Sequence, residues 1–180
     1  MDARLAALLD KQEIEEVVLR YARGIDRRDF ELVRSCYHAD ARDHHGSFSG
    51  GVDEYIDWVD RLTARYRWSM HLLGNVLIDL AEPGSSGRID VAACETTGVS
   101  LHRSDDPKPY MNLATGFRYL DRFERRDGVW RIAERTALGE WSIPIPRDAW
   151  WEIPEDQLSG RRDPGDALYR LLASLEPPSD

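Results

Sequence analysis

Cysteine is nearly missing from this chain: Cys36 and Cys94 are the two thiols in 180 residues. They stand far apart with no CxxC spacing, which argues against a disulfide framework or a thiolate metal site and for two small buried side chains. Positive charge is also short, with 24 Lys and Arg against 33 Asp and Glu and a formal net charge of -9. That field repels a phosphate backbone, so no nucleic-acid partner is expected. No stretch approaches the roughly 20 apolar residues of a membrane span, and the opening MDARLAALLDKQEIEE has no basic segment ahead of an apolar run. A soluble, cytoplasmic protein with no membrane partner is the expectation. Gly50-Gly51 and the segment from Gly84 to Gly87 lack the strand-to-helix context of a nucleotide fingerprint. His44 and His45 are adjacent, so in a strand they point to opposite faces and cannot chelate one ion together; His38, in CYHAD, reads as a helix-end residue. Neither a metal nor an organic cofactor is expected.

What remains is enough chain for one domain with a hydrophobic core and a tail. Asp10 and Glu13 form a capping-box pattern, and Ile14, Val17, Val18, Tyr21 and Ile25 follow at helical spacing. The pattern predicts an amphipathic helix ending near Gly24. A second helix starts around Asp29 and turns Phe30, Val33 and Cys36 inward; ARDHHGSFSGG reads as a short strand and turn; residues 53–66 give a third helix carrying Tyr55, Ile56, Trp58, Val59 and Leu62. From Trp68 the pattern becomes extended, through WSMHLLGNVLIDL, GRIDVAACETTGVSLHR, MNLATGFRYLDRF and VWRIAERTALGEW, with turns at EPGSSG and RRDG and a loop at SDDPKPY. Helices first and long antiparallel strands after predict an α+β fold, with N-terminal helices packed on one face of a curved antiparallel sheet. That domain spans 1–142. Residues 143–180, rich in Pro and Asp, form an extension expected to pack over the domain or a neighbouring subunit, with Trp150 and Trp151 as anchors and a short helix around 165–174.

Several polar residues fall at positions where chemistry is possible. Ile89, Val91, Ala93, Glu95, Thr97, Val99 and Leu101 share one face of a strand, so Glu95 interrupts an apolar row. It needs a cationic or hydrogen-bonding partner or a solvated pocket, unless a bulge or register slip turns it outward. His71 shares a face with Leu73, Asn75 and Leu77; it is either a satisfied core histidine or, with a carboxylate at one nitrogen, a general base. Asp26, in YARGIDRRDFELV, is the candidate carboxylate, with a capping role as its plain alternative. Tyr21 belongs to the buried stripe of the first helix. Arg135 lies between Ala133 and Ala137 on one strand face, where it can hold an anionic or carbonyl-bearing group or simply pair with an acid.

YARGIDRRDFELVRSCYHADA, SMHLLGN and FERRDGVWRIAER, in that order, resemble the SnoaL-like branch of the nuclear-transport-factor-2-like superfamily over roughly residues 5–142. Its members include scytalone dehydratase, hexachlorocyclohexane dehydrochlorinase and bile-acid 7α-dehydratase. The resemblance implies a cone-shaped fold and places Asp26 and His71 at an aspartate that orients a proton-abstracting histidine. It puts Tyr21 at a catalytic tyrosine, Arg135 at an arginine shared with the dehydrochlorinase, and Glu95 at an acidic position on the middle strand. Glu95, Asn75, Phe117 and Tyr119 are then expected to contact substrate. The chain departs from scytalone dehydratase where a second catalytic histidine and paired tyrosines find no match, with Ile25 before Asp26 and TTGVSLH after Glu95.

The expected function is therefore a cofactor-independent lyase acting on a hydrophobic ring-containing small molecule, by dehydratase-type β-elimination or related proton transfer. The pocket lining is expected from Leu73, Ala93, Val99 and Phe117. An isomerase or polyketide cyclase, a noncatalytic ligand-binding module, and a structural subunit like the β subunit of aromatic-ring dioxygenases are the alternatives. A homo-oligomer, dimer or trimer, is expected from the sheet face such a fold leaves uncovered.

Overall fold

A computed structural model of the protein describes residues 2–85, 87–106 and 112–175. Part of the SDDPKPY loop, one residue of the EPGSSG turn and the last residues of the extension lie outside the described residues. Helix α1 (Ala3–Arg27) starts well before the expected capping box: Asp2 caps it, its side chain accepting from the Arg4 amide at 2.7 Å. Asp10 is an interior, buried residue whose carboxylate accepts from Arg125 Nη1 at 2.6 Å and Trp130 Nε1 at 3.1 Å. The helix also runs past Gly24. A Cβ there would lie 2.7 Å from Val33 Cγ2, so the glycine serves the close approach of helix α2 (Phe30–Ser35) and does not end α1. Asp26 consequently sits in the last helical turn, and Arg28, in the left-handed region at φ 56°, turns the chain.

Strands β1 (Tyr37–His45) and β2 (Phe48–Gly51) form a hairpin, and helix α3 (Val52–Thr63) follows. His38 therefore belongs to a strand rather than a helix end, and its Nε2 meets the Glu124 carbonyl at 2.9 Å. Strands β3 (Trp68–Leu80), β4 (Val91–Arg103), β5 (Leu113–Arg126) and β6 (Val129–Pro144) make an antiparallel meander. The six-stranded sheet has the order β2-β1-β6-β5-β4-β3 and is curved and unclosed. Its one parallel pairing joins β1 to β6, a departure from the all-antiparallel expectation. It arises because α2 leads the chain to the β6 edge before the meander has begun.

Helices α1 and α3 cover the concave face. Ile14, Val17, Val18, Tyr21 and Ile25 of α1 and Tyr55, Ile56 and Val59 of α3 bury against Ile78, Phe117, Tyr119, Phe123, Trp130 and Ile132 of the sheet. At about 1.5–3 kcal/mol for each fully buried large side chain, this single cluster dominates the stability.

The inward row of β4 is Ala92, Cys94, Thr96, Gly98 and Ser100, the parity opposite to the one expected. Strand β3 changes parity partway. Its pairing with β4 shifts between Leu73 and Val76, so one extra residue is accommodated. His71 and Leu73 face the helices before this bulge, and Val76 and Ile78 face them after it.

After β6 the extension returns across its own domain through a turn at Arg147–Ala149 and helix α4 (Ala167–Ala173). Trp150 packs edge-on against Trp68 at 5.1 Å, whereas Trp151 is 92 % exposed and anchors nothing among the described residues. The stronger attachment is Arg162. Its guanidinium donates to the carbonyls of Ile25 (3.3 Å), Asp26 (3.1 Å), Thr63 (3.0 Å) and Tyr66 (2.9 Å), tying the ends of α1 and α3 together. No helix among the described residues is long and apolar enough to cross a membrane.

Candidate active site

Between the helices and the concave face lies a cavity of about 280 Å³. Phe117 and Tyr119, with ring centroids 4.5 Å apart, form part of its wall. Phe117 is seated over Gly98, where a Cβ would come within 2.6 Å of the ring. Tyr21, Tyr55, Trp58, Tyr66 and three histidines, His45, His71 and His102, complete much of the lining.

The last turn of α1 brings Asp26 to the first half of β3. Oδ1 lies 2.7 Å from Nδ1 of His71, and Oδ2 accepts from the His71 backbone N–H at 2.9 Å. One carboxylate thus fixes both the backbone and the ring of the same residue. Side-chain exposure is 7 % for His71 and 14 % for Asp26, so the pair is mostly withdrawn from water. Charge-assisted bonds of this kind contribute about 1.5–3 kcal/mol. The ring also lies edge-on to Phe117 at 5.7 Å.

His102, which the sequence reading missed, enters the cavity from the end of β4. Its Nδ1 lies 2.9 Å from Ser69 Oγ and its Nε2 3.2 Å from Ser100 Oγ, and it stacks on Tyr66 at 4.6 Å. Burial, reinforced by neighbouring His71, pushes its pKa down to about 3, so it is neutral at physiological pH. A tyrosine pair is present as well. The Tyr21 and Tyr55 hydroxyls are hydrogen-bonded to each other, and burial pushes both pKa values well above the usual tyrosine range. Both hydroxyls remain protonated; one donates to the other, which leaves the pair a single O–H to donate elsewhere.

Arg135 is sealed behind this wall with no solvent exposure and does not line the cavity. It makes two 2.7 Å bonds to Asp121, and its guanidinium lies over the rings of Tyr21 at 4.0 Å and Tyr119 at 4.1 Å. The expected contact of Arg135 with substrate is therefore replaced by support of the tyrosines from behind.

Three further expectations are corrected. Glu95 faces the outer side of the sheet, with 48 % side-chain exposure and its carboxylate 3.5 Å from Arg118. Because β4 has the opposite parity, Ala93 and Val99 accompany Glu95 on that side and leave the cavity lining. Asn75 is exposed at the β3 bulge, which breaks its alignment with His71. Leu73 packs against the core near the dyad. Among the described residues no group of three or more His, Cys, Asp or Glu side chains is arranged to hold a metal ion.

A cone of helices in a curved sheet, enclosing an aromatic-lined cavity, defines the nuclear-transport-factor-2-like class of proteins. Residues 6–136 match the SnoaL-like domain, and the chain belongs to that family. Its structure is similar to hexachlorocyclohexane dehydrochlorinase LinA type 2, with a TM-score of 0.71 at 18 % identity over 86 % of this chain and 100 % of the other. It is similar to a candidate scytalone dehydratase from Novosphingobium aromaticivorans, with a TM-score of 0.66 at 18 % identity over 86 % and 98 % of the two chains. A Mycobacterium tuberculosis protein of unknown function gives a TM-score of 0.64 at 21 % identity over 78 % of this chain and 77 % of the other. No curated protein matches by sequence. At these identities the structural likeness speaks to the fold; the chemistry must come from the cavity.

Proposed function

We propose that the protein is a cofactor-independent lyase, or a closely related proton-transfer enzyme, acting on a hydrophobic ring-containing small molecule. The observation that carries this reading is the 2.7 Å contact between Asp26 and Nδ1 of His71 at the cavity wall. A proton held on Nδ1 by the carboxylate leaves Nε2 with its lone pair, the state needed to remove a C–H proton. The electron pair moves onto a carbonyl oxygen of the substrate, where the remaining O–H of the Tyr21–Tyr55 pair is suited to stabilise the charge. Departure of a β substituent then completes an elimination, the reaction type in the name of the dehydrochlorinase neighbour. The rings of Phe117 and Tyr119 favour a flat apolar substrate. A volume of about 280 Å³ sits at the lower edge of the usual ligand-pocket range and favours two rings over four.

The test is hydrogen–deuterium exchange at acidic C–H positions of a panel of ring ketones, including α- and β-tetralone, followed by proton NMR in D2O. The wild-type protein is expected to accelerate exchange in at least one, and His71→Ala to slow it by about 10²–10⁴. Absence of exchange across the panel, or full activity in His71→Ala, rejects the reading.

A further inference from the structure

The three cavity histidines have different surroundings. His102 has both nitrogens beside serine hydroxyls, whereas His71 is backed by Asp26. His45 is backed by a second carboxylate, Asp43, whose side chain is fully buried. Nδ1 of His45 lies 3.5 Å from Asp43 Oδ1, an ion-pair separation longer than a well-formed hydrogen bond, and neither atom has a hydrogen-bond partner among the described residues. The other Asp43 oxygen accepts from the Tyr37 hydroxyl at 2.6 Å, which fixes the carboxylate in place.

The hydrogen bonding around this pair is incomplete. Asp43 stands opposite Arg135 in the parallel β1–β6 register, but Arg135 gives its two bonds to Asp121. Arg135 Nη1 is buried without a hydrogen-bond partner among the described residues, and the free Asp43 oxygen adjoins Nδ1 of His45. Leaving a buried carboxylate oxygen without a donor is costly, and Nδ1 of His45 lies 3.5 Å from it. Its Nδ1 is buried while a quarter of its side chain remains accessible, so the accessible part is the ring edge that carries Nε2.

His45 and His71 occupy opposite sides of the cavity. Their strands are the second and sixth in the sheet order, and between their rings lie Tyr119, 5.8 Å from His45, and Phe117, 5.7 Å from His71. They are too far apart to act on neighbouring atoms. We propose that Asp43–His45 is a second proton-handling pair, serving the oxygen end of a conjugated two-ring carbonyl substrate whose acidic C–H lies at His71. This rests on the base assignment made above and adds the substrate class and its orientation. At the His71 end the C–H bond breaks and the proton passes to Nε2. Its electron pair moves through the conjugated system to the carbonyl oxygen, which takes a proton from Nε2 of protonated His45. His45 keeps its Nδ1 proton toward Asp43. One proton leaves the substrate and one joins it, so the immediate product is the enol isomer and no oxidant or reductant is consumed.

The test uses the full-length protein, nitrogen-edited NMR of its histidines, and β-naphthol as a stable stand-in for a two-ring enol. The expected results are a downfield His45 Nδ1–H signal that disappears in Asp43→Asn, while the His71 signal persists, and shifts of both rings on adding β-naphthol. His45→Gln should weaken β-naphthol binding about tenfold, the size of one lost hydrogen bond. Asp43→Asn disturbs a buried cluster and can unfold the protein; His45→Gln removes no buried carboxylate and carries the test independently. No binding of β-naphthol at millimolar concentration, a shift confined to His71, or wild-type affinity in His45→Gln overturns the proposal. Failure of the base assignment is seen separately, as a His71 signal indifferent to Asp26→Asn.

Discussion

Replacing Asp26 by Asn separates the two jobs its carboxylate performs. In the wild type both oxygens accept, one from the His71 backbone N–H at 2.9 Å and one from the ring at 2.7 Å. An amide of the same shape offers one acceptor and one donor. If its oxygen stays on the ring, its NH2 faces the His71 backbone N–H, and a buried donor is left unmatched at about 1–3 kcal/mol. If its oxygen takes the backbone N–H, its NH2 meets Nδ1, which must then accept. The second arrangement keeps both bonds and is favoured, but it moves the imidazole proton to Nε2 and removes the lone pair that faces the cavity. The prediction is a modest stability loss of about 1 kcal/mol, from exchanging charged for neutral hydrogen bonds, with a fall in C–H exchange of about 10²–10⁴. Long-range nitrogen–proton correlation spectra distinguish the two tautomers, and urea unfolding gives the stability. An Asp26→Asn variant that keeps the imidazole proton on Nδ1, or exchanges at the wild-type rate, refutes the reasoning.

Arg162→Gln should lower stability by about 2–4 kcal/mol in urea unfolding, because it loses most of four bonds to the ends of α1 and α3; Arg162→Lys should recover part of that loss. Burial holds His102 neutral down to about pH 3, whereas the unfolded residue protonates near 6.5. Stability should therefore fall as pH drops through that window, by about 1.4 kcal/mol per unit in its middle, and unfolding at pH 5.5 and 4.5 should show a smaller drop in His102→Gln. The outer sheet face leaves Leu72, Leu77, Leu120 and Ile143 exposed. A dimer or trimer is expected by sedimentation, and Leu77→Glu with Leu120→Glu should shift it toward monomer, whereas a wild-type monomer at micromolar concentration rejects that expectation.

The stripe from Ile14 to Ile25 made α1 legible in the sequence, because a helix covered on one side must repeat its apolar residues every three or four positions. The strand alternation of β4 was equally plain, yet it showed two faces without saying which was inside. Its bulkier row, Val91, Val99 and Leu101, resembles a core but belongs to the outer face, while Cys94, Thr96, Gly98 and Ser100 face the helices. A strand that borders a cavity needs small inward residues, and that is the signal that would have placed Glu95 outside and His102 inside. The β3 bulge had one local cue, the Gly74-Asn75 dipeptide in the middle of an apolar strand. Arg135 could not be resolved from its neighbours alone, since its partner Asp121 lies on another strand and small flanking residues suit a buried guanidinium as well as an open one. Arg162 gave no cue, because its partners are backbone carbonyls in distant segments.

The additional residue at the β3 bulge gives one strand two independent phases. Its side chain matters little there, and polar replacements of Asn75 should be tolerated. Deleting a single residue at that point is another matter: with the register past the defect held, the imidazole would swing to the outer side, and with the register before it held, Ile78 would leave the interior. Strand length at this spot therefore acts as a gearing between placement of the imidazole and packing, letting each half of β3 obey its own demand without either being set by the other.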